Sequence, residues 1–217
     1  MEARTPFDSA IDDWYRQPEN VEGIIKTLEE KSEIKFVFRK NQVVDGSRAG
    51  DHQIEASAEH IARWDTRVPE NIFKEGFAPR TPRHWTTFGM HNFKSYQQSQ
   101  SVASVFVATA RCFQDDKSKP AMWKPQNWND GTKYKYAVSG CYGGIDVNAT
   151  IAQNKASHFK SEHEITFVGG IRKEFIPFAV EYKDGVAIKI WENGQIKQVV
   201  GTTFPRPPNV DVYIVSP

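Results

Sequence analysis

Between Val102 and Val215 the chain carries seven short β-rich runs and no segment with a helical period: residues 102–110, 134–141, 164–168, 176–182, 186–191, 195–200 and 210–215. A repeating βαβ architecture alternates helices with its strands, and a succession of strands does not follow that pattern. Helical periodicity is confined to the first eighty residues. Helices early and strands late predict an α+β fold. Asn193-Gly194, between two of the runs, predicts a tight hairpin.

The leading residues 1–55 read as an extension that packs on a main domain of residues 56–217. Asp8 and Ser9 can cap a short helix over Ala10–Arg16. Val21, Ile24, Ile25 and Leu28 fall at i, i+3, i+4 and i+7, the apolar face of a second helix. Residues Ile34–Arg39 predict a strand, followed by the turn-prone Asp45-Gly46. In the main domain Ile61–Asp65 predicts a strand. Pro69 opens a short helix with Ile72 and Phe73 on its buried face and Gly76 past its end. The stretch 79–100 is polar, aromatic and irregular, and Gly143-Gly144 interrupts the strands.

Composition excludes several classes. Lys+Arg number 28 and Asp+Glu 27, so the formal charge of +1 gives no large positive field for a dedicated nucleic-acid binder. With 39% hydrophobic residues the chain can bury a core, and no run approaches the ~20 apolar residues of a membrane span. A soluble monomer without a membrane partner is expected. Met1–Asp8 lacks the apolar region of a signal peptide, which leaves a cytoplasmic protein or a mature secreted one. Cys112 and Cys141 are either two buried thiols or one pair. Six histidines show no HExxH or Cys/His spacing, and His84 and His91 alone are read as ordinary side chains, so no metal is expected. Asn148-Ala-Thr150 matches a glycosylation sequon and is read as structural.

Three segments can carry chemistry. Glu162-His163-Glu164 sets two carboxylates at i and i+2 before an apolar strand, where an extended chain points both the same way. Like charges so placed raise each other's pKa and can divide stabilising and base roles. Arg63-Trp-Asp-Thr-Arg67 ends a strand and offers a guanidinium fork, steadied by Asp65, that can grip a phosphate. Ser104–Ala110 is a strand ending in small residues that a ligand can approach closely. Trp64, Trp85, Trp123 and Trp128 add aromatic surface, read first as packing.

In this order the three segments resemble the cholera- and pertussis-toxin-like mono-ADP-ribosyltransferases. Residues 63–77 resemble the R-x-D-S/T-R-x-P opening motif with its following helix and Gly-Phe. Ser104–Ala110 is similar to the S-T-S strand, and Glu162-His163-Glu164 to the E/Q-x-E motif. The linkers Gly143–Asn148 and Glu164–Ile171 resemble those of the pierisin and Scabin branch. The resemblance implies an ADP-ribosyltransferase fold of two packed, antiparallel-rich sheets with flanking helices around a cleft for NAD, which is consumed as a substrate. Glu164 would stabilise the oxocarbenium-like ribose, Glu162 would activate the acceptor, and Arg63 would hold the NAD phosphates and brace the site. Asp65, Ser104, Ala108 and Thr109 would contribute to NAD binding. Phe159, in the loop Ala152–Ser161, and His163 would recognise the target. Glutamate at 162 implies a protein arginine as acceptor, whereas guanine-modifying relatives of the pierisin type carry glutamine. The S-T-S segment is here Ala108-Thr109-Ala110, which removes a supporting hydroxyl. Guanine transfer to nucleic acid or nucleoside, NAD hydrolysis, and a catalytically dead binding module are the alternatives.

Overall fold

The computed structural model describes residues 36–38, 43–44, 53–56, 60–78, 106–112, 124–138, 144–147, 164–168, 170–196, 198–201 and 206–216. The two leading helices, the stretch 79–100, His84, His91 and the sequon lie outside these residues. The described residues hold twelve strands: β1 (Phe36–Phe38), β2 (Val43–Val44), β3 (Gln53–Ala56), β4 (His60–Asp65), β5 (Phe106–Cys112), β6 (Thr132–Val138), β7 (Gly144–Asp146), β8 (Glu164–Val168), β9 (Phe178–Lys183), β10 (Val186–Asn193), β11 (Gln198–Gly201) and β12 (Asp211–Val215). Helix α1 spans Pro69–Glu75, and a 3-10 turn spans Lys173–Phe175.

Nine strands form one sheet in the order β1-β7-β8-β5-β4-β6-β9-β10-β12, and β11-β3-β2 form a second. Every pairing is antiparallel except β10–β12 and β11–β3. Residues of the leading segment join both sheets, β1 beside β7 and β3 beside β11. Two sheets, with one helix and one 3-10 turn among the described residues, fit an α+β fold.

Strand alternation sorts the large sheet into two faces. On the first, Ile61, Val107, Tyr134, Tyr136, Val138, Ile165, Phe167 and Ala179 form the main core with Ile72, Phe73 and Phe77 around α1. Burying each such large side chain contributes roughly 1.5–3 kcal/mol. On the second face Ala62, Ala137, Phe178, Val180 and Ile190 form a smaller cluster. Pro69 occupies the first turn of α1 and Gly76 ends it at φ 74°, ψ −165°, a backbone region open to glycine alone. The chain then bridges Phe77 to Ile171, with both backbone N–H groups donating across at 2.8 Å.

Asn193-Gly194 does not turn a hairpin, which corrects the sequence expectation. The neighbours of β10 are β9 and, in parallel, β12, while the chain beyond Ile196 leaves for the second sheet. The buried Asn193 amide donates to the carbonyls of Lys173 and Ile176 and accepts from Gln195 N–H, and Gly194 N–H donates to Val215 O. Those tertiary contacts, not a two-residue loop, require the residue pair. The tight hairpin lies at Asp184-Gly185, between β9 and β10, where both residues adopt positive φ (49° and 80°) as a primed turn demands.

Candidate active site

The site is built around a fork in the large sheet. Strand β4 pairs β6 along Ile61–Asp65 but pairs β5 only along His60–Ala62. Beyond Ala62 the two neighbours part, and the Arg63 side chain crosses the gap. Its Nη1 donates to the Ala108 carbonyl of β5 at 2.5 Å, standing in for a ladder bond. Its Nε lies 3.7 Å from Asp65 Oδ2, and its guanidinium sits 5.2 Å from the centre of the Phe77 ring.

Asp65 is the hub of this corner. Arg67 grips both its oxygens, Nε to Oδ1 at 3.0 Å and Nη2 to Oδ2 at 2.7 Å, and Arg67 N–H adds a third bond at 2.9 Å. Burial pushes the Asp65 carboxyl up, but the hydrogen bonds and charges of Arg67 and the charge of Arg63 outweigh it and hold the group below its usual value. Tyr136, fully buried beneath, donates its hydroxyl to Arg67 O at 2.5 Å. Burial, with the charge of Asp65 next, raises the Tyr136 phenol well above its usual range, so it remains a donor.

Glu164 opens β8 and is only 7% exposed. It lies opposite Ala110, and Thr166 lies opposite Ala108. These four side chains share the face of the sheet that carries Ala62 and Trp64, because Ala62 in turn pairs with Ala110. Thr109 belongs to the other face. Its hydroxyl is buried and donates to Ile165 O at 2.6 Å, tying β5 to β8 on the core side. Alternation turns the Thr109 side chain to the face opposite Glu164, the face that Arg63 shares. Ala108 contributes through its backbone, as the acceptor for Arg63.

The register places Arg63 and Asp65 on the Thr109 face of the sheet and Glu164 on the other, with β5 between their strands, and brings in Tyr136, which sequence reasoning did not single out. Ser104, Phe159, Glu162 and His163 lie outside the described residues. Trp64 and Trp128 pack with Tyr182 at ring-centroid distances of 5.0 Å (Trp64–Tyr182) and 6.4 Å (Trp128–Tyr182). A buried carboxylate opposes positive charge, and a partnered guanidinium opposes negative charge. The two charged ends of a dinucleotide with a cationic ring call for that pair of groups.

Comparison with known proteins fixes the family. The Scabin-like family model matches residues 61–196. Pierisin of Pieris brassicae is 33% identical over 138 residues, which cover 62% of this chain and 15% of pierisin. The chain therefore spans a small part of that relative. The catalytic domain of the mosquitocidal toxin from Bacillus sphaericus, solved as a Glu→Gln variant, superposes with a TM-score of 0.64 at 30% identity, covering 84% of this chain and 75% of that one. The mosquitocidal holotoxin matches with a TM-score of 0.63 at 25% identity over 97% of this chain and 24% of its own. The chain belongs to the Scabin-like family of ADP-ribosyltransferases and carries the fold of that family.

Proposed function

We propose that the chain cleaves the nicotinamide–ribose bond of NAD and transfers ADP-ribose to an arginine of a protein target. As the bond between C1′ and the nicotinamide nitrogen breaks, nicotinamide leaves with the electron pair and positive charge grows on the ribose. The Glu164 carboxylate, shielded from water, stabilises that charge more strongly than a solvated one would. Arg63 and its brace at Asp65 and Ala108 hold the pyrophosphate. Glu162 takes a proton from the acceptor guanidinium, which then forms the new N–C1′ bond.

The observation that carries this reading is the buried Glu164 at the sheet fork, with a second glutamate two positions before it. Two solved variants of the mosquitocidal toxin domain support the pairing, since their Glu→Gln substitutions also lie two positions apart. The likeness to pierisin favours guanine as the other acceptor. The Glu162→Gln variant separates the two. Loss of transfer to arginine with NAD cleavage retained supports the arginine reading, and transfer to guanine by the unsubstituted chain overturns it.

A further inference from the structure

The ring of Phe77 carries two guanidinium groups. Arg63 Cζ lies 5.2 Å and Arg67 Cζ 5.3 Å from its centre. Asp65 stands beside both arginines, its Oδ2 3.7 Å from Arg63 Nε and 2.7 Å from Arg67 Nη2. Within this trio two positive charges face one negative, and like charges so close repel. An aromatic face carries negative quadrupole charge and attracts a cation within about 6 Å of its centre. The Phe77 ring therefore adds to the attraction of Asp65 at the point where the two guanidiniums meet.

The ring is itself held. Phe77 is 2% exposed and meets the Tyr136 ring at 5.2 Å and 83°. Its backbone exchanges two hydrogen bonds of 2.8 Å with Ile171. Gly76 permits that close approach, since a Cβ at this position would collide with Ile171 O. A helix end, a backbone bridge and a buried tyrosine thus fix one ring against two long, flexible side chains.

We infer that Phe77 is a positioning residue for NAD binding: its ring orients the Arg63 guanidinium beside Arg67 before the phosphates arrive. The inference rests on the reading of Arg63 as the group that holds the pyrophosphate. A free arginine loses much rotamer freedom when it grips a ligand, and one already fixed loses less. The effect falls on affinity for NAD, not on the bond-breaking step.

The test replaces Phe77 in turn by mono-, tri- and pentafluorophenylalanine, which withdraw charge from the ring face stepwise while nearly keeping its shape. Pentafluorophenylalanine in place of Phe73 is the control, because Phe73 meets the same Tyr136 ring from α1, at 6.2 Å and 87°. The readouts are KM and kcat for nicotinamide release, and the order of the Arg63 Nε–H group by nitrogen NMR relaxation in the NAD-free protein, which needs no turnover. Along the series at Phe77, KM for NAD rises stepwise to about tenfold, kcat changes by less than about twofold, and the Arg63 Nε–H group loses order in parallel. The control leaves all three near their starting values. An unmoved KM and an unmoved Nε–H order overturn the inference. So does a rise in KM that is equal at the two positions and follows the melting temperature. If the Nε–H order falls but Arg63→Ala keeps the KM of the unsubstituted chain, the ring contact stands and the reading of Arg63 as the phosphate grip falls.

Discussion

At the β4–α1 corner, four hydrogen bonds join Asp65, Arg67 and Tyr136, and Arg63 adds a fifth to Ala108 O and lies over the Phe77 ring. Two strands away, Glu164 sits on a face whose neighbours on β5 are alanines. The first region is cross-linked through side chains and backbone. The second carries one buried carboxylate. A densely bonded corner spreads the cost of a change into stability and NAD affinity. A single carboxylate that meets the reacting ribose concentrates it in the rate.

The largest effect that sharpens this contrast is expected from Arg63→Lys. A single ammonium cannot bridge to Ala108 O while facing Asp65, so kcat/KM for NAD falls by about 100-fold. A loss confined to kcat would erase the division between the regions. Next comes Gly76→Ala, which places a Cβ 2.4 Å from Ile171 O at a backbone conformation foreign to alanine. It costs about 2 kcal/mol and lowers the melting temperature by about 4–8 °C. An unchanged melting temperature would show that the corner is not held at this bridge. Tyr136→Phe removes one bond to Arg67 O and costs about 1 kcal/mol, read by urea unfolding, with KM for NAD rising and kcat little changed.

The smallest effect is electrostatic. Asp65 has a folded-state pKa below its unfolded value near ~3.9, so its contribution is complete above about pH 4 and is lost as pH falls through the folded value. Arg67 is 47% exposed, and solvent screening limits this contribution to under about 1 kcal/mol. The stability gap between the natural chain and Asp65→Asn should narrow between pH 5 and pH 3 in thermal melts. A gap constant with pH would remove Asp65 from the ionic account of the corner.

The elements of this fold that local chemistry dictates could be read from sequence. Pro69 and Gly76 bracket α1, with Ile72 and Phe73 buried as their spacing requires. Residues 164–168 form a strand with the expected bounds. What failed depended on pairing. Asn193-Gly194 has the composition of a hairpin turn, but its two residues answer to Lys173, Ile176 and Val215, which no local pattern connects to them. That Thr109 and Glu164 lie on opposite faces was not legible either, because only the register of β5 on β8 supplies that relation.

Nicotinamide release from NAD by the purified chain and by Glu164→Ala, each with and without agmatine, tests the central claim most directly. The account predicts release that rises with agmatine and falls by about 10²–10³-fold in the variant, with little change in melting temperature. Equal release by the two proteins would contradict it.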